Sequence, residues 1–181
     1  TTHVSAAAGL VAWALIETIR DGKATAVGMA TGAVAGLVGI TPAAGFVSPA
    51  SGMLIGAITS SLCYISVKVK IKLSFDDSLD TFAVHGVGGT VGAILTGFFA
   101  KAELISSHPA GLVLAEQGRI GLVLGQFQAV LIAYGIAAFG TLIIALLLKS
   151  LGCNYRVEKA KEDAGLDISE HGEEAYVERT G

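Results

Sequence analysis

Apolar tracts and short polar breaks alternate along this chain at the scale of a lipid bilayer. Residues 1–19 hold a single Asp, Glu, Lys or Arg side chain, Glu17, and Arg20-Asp21-Gly22-Lys23 closes the tract. Residues 24–67 then contain no Asp, Glu, Lys, Arg or His. As one helix they would reach ~66 Å, about twice a hydrocarbon core, so they must fold back. The break falls in TPAAGFVSP, residues 41–49, where Pro42, Gly45 and Pro49 disfavour helix. Spans are therefore expected over 24–40 and 50–67. A polar loop over 68–80 ends in Asp76, Asp77, Ser78 and Asp80, which are good N-cap and first-turn residues for a span over 81–100. After a mixed loop, residues 120–148 are again free of charge. They would make ~43 Å of helix, enough to cross the bilayer with tilt or to project from it.

The pattern predicts an all-α, polytopic membrane helix bundle of five spans, 1–19, 24–40, 50–67, 81–100 and 120–148, within a membrane region ending near residue 150. Residues 151–181 read as a separate polar tail. Composition agrees: 52% of the residues are hydrophobic, 15% are charged, and the mean hydropathy is +0.68. Soluble domains are nearer a quarter charged. Too little polar sequence remains here to cover a large soluble core. Cys63 and Cys153 form no disulfide framework or metal motif. The chain starts inside an apolar run at Thr1, which suggests the later part of a longer protein.

Five spans put the chain ends on opposite sides. Alternate loops hold Arg20, Lys23, Lys68, Lys70, Lys72, Lys149, Arg156, Lys159, Lys161 and Arg179; the other side holds only Lys101 and Arg119. Ten against two predicts a cytoplasmic tail. Small residues recur in TGAVAG, ASGMLIGA and GVGGTVGA, and Gly88 and Gly92 make a G-x-x-x-G. Such faces let helices approach closely.

One polar side chain stands out. The stretch TFAVHGVGGTVGAILTGFFA carries His85 in a tract otherwise free of ionisable groups. Its place is either a hydrogen-bonded core or a solute path. Thr81 lies four residues earlier on the same face. A hydroxyl and an imidazole on an apolar wall suit a small, neutral, hydrogen-bonding solute; a hydrated ion needs rings of oxygens or charges. Histidine also exchanges a proton near neutral pH. No hydrolase triad, metal cluster or phosphate loop is evident, HGVGG alone is weak evidence for nucleotide binding, and no enzyme, cofactor or nucleic-acid reading follows.

DTFAVHGVGGTVGAILTGFFA resembles the tenth membrane helix of the ammonium transporter (Amt/MEP/Rh) family. GAVAGLVGITPAAGFV resembles the eighth helix and following turn, and GLDISEHGEEAY the cytoplasmic tail of the Amt branch. The resemblance implies helices seven to eleven of an eleven-helix protein of the plasma or inner membrane. It implies a homotrimer with one hydrophobic pore per subunit, built from inverted repeats, through which ammonium passes as ammonia. His85 corresponds to one of two hydrogen-bonded pore histidines. Its partner would come from the missing N-terminal half. Thr81 and Thr41 would line the inner part of the pore, with Asp77 and Asp80 supporting the pore helix. Tyr155, Arg156, Gly165, Leu166, Asp167, His171, Gly172 and Tyr176 match a regulatory tail that in many bacterial members engages a PII-type signalling protein. Three rivals follow: an ammonium sensor of the same fold, a channel for another neutral solute, and a structural subunit with a core histidine.

Overall fold

The computed structural model describes residues 1–153 and 156–173. Among these every regular element is helical. They are α1 (Thr2–Asp21), α2 (Ala26–Ile40), α3 (Pro49–Lys72), a π-turn (Phe82–Gly86) continuing into α4 (Val87–Phe99), α5 (Ala102–Ile105), α6 (Pro109–Ser150), α7 (Lys159–Ala164) and a second π-turn (Asp167–His171). The chain forms two compact units that divide between Ala133 and Tyr134, inside α6.

Local chemistry sets the ends of the first three helices. Gly22 takes a left-handed conformation (φ 88°), and its N–H closes α1 on the Thr18 carbonyl. The Thr25 hydroxyl caps α2 by accepting from Gly28 N–H, and Glu17 reaches across the turn to accept from Thr25 N–H and Oγ1–H. Ser48 caps α3 by accepting from Ser51 N–H, with Pro49 at the first position, where its missing N–H costs nothing.

Three observed boundaries differ from the sequence pattern. α2 is only 15 residues, about 22 Å, shorter than a typical hydrocarbon core. The turns that follow it are sheltered by protein, with Ile40, Ala43 and Val47 all buried, and that shelter makes non-helical backbone tolerable at this depth. α3 runs on to Lys72, because lysine stems can extend an apolar helix while the ammonium groups reach for water. The expected loop over 101–119 is mostly helical. α5 and the start of α6 occupy it, with a turn over 106–108 between them, and within α6 the break is confined to Gly118 (φ 68°, ψ −169°). Among the described residues four helices, α1, α3, the helix over Phe82–Phe99 and α6, are long and apolar enough to cross a membrane.

In the first unit the helices meet on small residues. A methyl group added at Gly36 would lie 2.4 Å from the Ser5 carbonyl oxygen, and one at Gly56 would lie 2.2 Å from that same atom. The Ser5 hydroxyl donates to Gly36 O (2.9 Å), and the Ser60 hydroxyl donates to Gly9 O (2.7 Å). Such bonds in the bilayer are worth about 0.6 kcal/mol on average and hold register as well as strength. α4 joins through Gly92, where a methyl group would lie 2.2 Å from Gly39 O. Its far end is tied to α6, where Arg119 donates to the carbonyls of Gly97 and Ala100.

The second unit is the end of α6 and the tail, and none of its described residues is buried. α7 carries the Arg156–Glu162 ion pair (3.1 Å), and Lys161 reaches Glu170 of the second π-turn (2.8 Å). Gly165 (φ 95°) ends α7 and Gly172 (φ 70°) ends that π-turn. Leu166, Asp167 and His171 sit on this folded turn. Tyr155 and Tyr176 lie outside the described residues.

Replacing Gly92 by Val should cost about 1–3 kcal/mol through overpacking on Gly39. Gly89→Ala meets nothing within 4 Å and should leave the unfolding midpoint unchanged or slightly raised. Thermal unfolding of the two variants in detergent, against the native chain, measures both effects.

Candidate functional site

His85 sits near the start of the fourth apolar tract, in the π-turn rather than in regular α-helix. A π-turn adds a residue to the turn and so redirects the side chains it carries; such turns are frequent at functional sites. Ala83 and Val84 point inward, Val84 into a cluster with Trp13, Ala35, Cys63 and Tyr64. The Cys63 thiol donates to the Val84 carbonyl (3.7 Å). The inward anchoring turns the other side of the wide turn outward, where Thr81, Phe82 and His85 are all exposed on this unit. Among the described residues, no hydrogen bond links the His85 imidazole to another side chain or to the backbone. The Phe82 ring lies over Gly86, where a methyl group would come within 3.0 Å of it, and stacks obliquely on Phe75 (6.1 Å). The local surface is thus an apolar, aromatic wall with a hydroxyl and an imidazole on it.

The start of this helix is fastened by charge. The Asp77 carboxylate accepts from Thr81 N–H (2.8 Å) and Phe82 N–H (2.9 Å), satisfying two donors of the first turn. Asp80 adopts a left-handed backbone (φ 55°), uncommon for a residue other than glycine. Its carboxylate pairs with Lys70 of α3, which also donates to the Asp77 carbonyl oxygen. Both aspartates therefore support the helix that carries His85, one as a direct cap and one through an ion pair. Lys70 gave no signal in the sequence, because a lysine in a polar loop is ordinarily a solvated one.

Thr41 lies elsewhere. It caps the far end of α2, with its hydroxyl donating to Leu37 O (2.7 Å). Gly39 packs on Gly92, and Ile40 packs in a cluster with Leu95. Gly92 is seven residues beyond His85, roughly 10 Å along the helix. On this unit Thr81 sits at the lysine-rich end and Thr41 at the other end of α2. The cause is antiparallel packing of α1 against α2, which carries the end of α2 away from Lys68, Lys70 and Lys72. Thr31, ten residues earlier on the same helix, is the α2 threonine at the Asp80 level; Thr31 and Asp80 both line a cavity of about 170 Å3 with Glu17, Trp13 and Tyr64. Aromatic contact between Trp13 and Tyr64 (5.3 Å, edge-on) forms its floor, and Tyr64 OH and Lys68 Nζ both donate to Asp21 at 2.9 Å. Its polar signal was visible only as scattered residues on three helices.

Residues 1–176 match the family model described as the Ammonium Transporter Family. The chain is 41% identical over 176 residues to an ammonium transporter of Bacillus subtilis, covering 97% of this chain and 43% of that protein. Among solved structures, Saccharomyces cerevisiae Mep2 aligns with a TM-score of 0.65 and 37% identity, over 80% of this chain and 35% of that one. A structure described as a sensor Amt protein aligns with a TM-score of 0.78 and 30% identity, over 93% of this chain and 40% of that one. The chain thus spans less than half the length of the relatives it matches.

Removing the Asp77 cap should loosen the turn before it unfolds the bundle. Asp77→Ala is expected to cost about 1 kcal/mol and to speed hydrogen exchange at the amides of Thr81 and Phe82, with the amides of α2 unaffected. Exchange mass spectrometry of the native chain and the variant reads this directly.

Proposed function

This chain belongs to the ammonium transporter family and is a multi-pass membrane protein, and we propose that it supplies the His85-bearing wall of an ammonium-conducting pore. The observation that carries the reading is the exposed His85–Thr81–Phe82 surface on a π-turn, set in an apolar helix that is otherwise uncharged. The opposite wall comes from the N-terminal half of the transporter, including a second histidine that faces His85. Ten Lys and Arg side chains on alternate loops against two on the others support a cytoplasmic tail. Subunits assemble as a homotrimer with one pore each, and the tail around Gly165–Gly172 offers a docking segment for a PII-type regulator.

Physical chemistry then orders the steps. Carrying a bare cation through an apolar path costs far more than carrying a neutral amine, so ammonium yields its proton before the narrow passage. Ammonia crosses with its N–H groups and lone pair satisfied in turn by imidazole nitrogens. Neutral imidazole is suited to this because one ring nitrogen donates while the other accepts. The same two nitrogens offer the proton a route beside the amine. Ammonium re-forms where water returns, beyond Thr81.

The likeness to the sensor Amt protein supports a second reading, in which the same fold binds ammonium and conducts little. Ammonium-evoked currents and pH changes in proteoliposomes separate the two, using the full polypeptide that carries this chain and its His85→Ala variant at equal amounts of folded protein. Transport through His85 predicts a change in rate or cation selectivity of about tenfold or more, the equivalent of about 1.4 kcal/mol. Equal signals from both make His85 a packing residue. Silence from both with ammonium still bound selects the sensor.

A further inference from the structure

A second cavity, of about 60 Å3, lies at the other end of the His85 helix. Thr96, on its α4 wall, is eleven residues beyond His85, about 16 Å along the helix. α5 and the start of α6 fold over the cavity, and the turns after α2 close its side through Phe46. Most of the wall is apolar. Ile105 and Leu122 are buried in one cluster with Ala100, and Phe46 packs against it. The His108 ring stands against the Phe46 ring (5.3 Å) and completes the wall. The volume admits about two to four non-hydrogen atoms, since one water molecule takes about 30 Å3.

Three polar side chains give this space a definite hydrogen-bonding character. Ala110 N–H donates to His108 Nδ1 (3.2 Å), so the ring proton of the neutral imidazole is on Nε2, which is a donor. The Thr96 hydroxyl gives its hydrogen to Gly92 O (2.8 Å) and keeps lone pairs as acceptors. The Gln126 carboxamide offers both donors and an acceptor. Among the described residues, neither His108 Nε2 nor the Gln126 carboxamide has a hydrogen-bond partner in the protein. No Asp, Glu, Lys or Arg is among the described residues that line the cavity. The neighbouring Arg119 is spent on the carbonyls of Gly97 and Ala100. A charged ligand would lose its water here and gain no counter-charge. The walls therefore suit a small uncharged molecule that carries a donor, an acceptor and a short apolar part.

We propose that this cavity is a binding site for a small neutral amide of the size of acetamide. Its carbonyl oxygen accepts from His108 Nε2–H or Gln126, its N–H groups donate to Thr96 or Gln126, and its methyl group lies among Phe46, Ile105 and Leu122. A molecule held there touches α4, α6 and the turns after α2 at once, and so ties them together. The site stands apart from His85 and does not rest on the transport reading.

The test uses the full polypeptide that carries this chain, in detergent. Acetamide should raise the unfolding midpoint in a saturating manner, as a ligand of the folded state does. Its methyl protons should also receive magnetisation from the protein in saturation-transfer NMR. Binding by so few atoms is weak, in the millimolar range, so two controls are read beside it. Trimethylacetamide has the same amide and exceeds the cavity; sodium acetate has the same size and a charge. Neither should give either signal. Ala110→Leu places a larger side chain in the cavity and should abolish both signals. Gln126→Leu should weaken binding by about threefold or more, as the loss of one hydrogen bond does. No saturable acetamide signal in the native protein, an equal signal from either control, or an undiminished signal in Ala110→Leu overturns the proposal. Should Ala110→Leu fail to fold, Gln126→Leu decides, and unchanged acetamide binding in it overturns the proposal.

Discussion

The first unit depends on the crossing of three helices at Ser5. The carbonyl of Ser5 is pressed by Gly36 and by Gly56, and its hydroxyl donates to the Gly36 carbonyl. No larger residue fits at either glycine without moving backbone. Lipid supplies no hydrophobic force between helices, so close approach and short hydrogen bonds must hold them together. With α1, α2 and α3 locked here, and again where Ser60 reaches Gly9, their relative heights are set.

Those heights decide where α4 docks. Gly39 and Gly92 meet backbone to backbone, and Gly88 fits beside Cys63 and Val38. The inward face of α4 is consumed by these contacts, and Val84 continues the same anchoring into the π-turn. Whatever is polar on the opposite face is left pointing out of the unit. The direction of His85 is thus a consequence of glycine packing several turns away. One buried polar atom stands apart from this economy: the Thr59 hydroxyl is enclosed without a hydrogen-bond partner among the described residues, against the Gly39 backbone.

Much of this architecture could be read from residue order. Long uncharged tracts, proline and glycine breaks and the acidic run before residue 81 located the helices, because these signals are local. The end of α3 and the helices within 101–119 were not legible, because lysine stems tolerate helix, Pro109 opens α6 rather than interrupting it, and Gly118 acts on a single residue. At the site, His85 and Thr81 announced themselves by being polar in an apolar tract, and the aspartates by their capping position. Lys70 and Thr31 did not, since their meaning lies in which helix stands next to which. The depth of Thr41 was not legible for the same reason: a motif carries residue types, while depth comes from packing.

The helix that carries His85 is gripped at both ends by cations from its neighbours. Lys70 holds the turn before it, and Arg119 of α6 holds the carbonyls of Gly97 and Ala100 at its end. Between these ties, Gly92 is keyed into the Gly39 backbone. Sliding along its axis is blocked, and so is tilting of its far half. The one departure from regular α geometry between these ties is the five-residue wide turn, and the extra residue it takes in sets the direction of the imidazole relative to the Gly92 contact. In engineering terms the helix is a shaft fixed in two bearings, and its one irregular section is at His85.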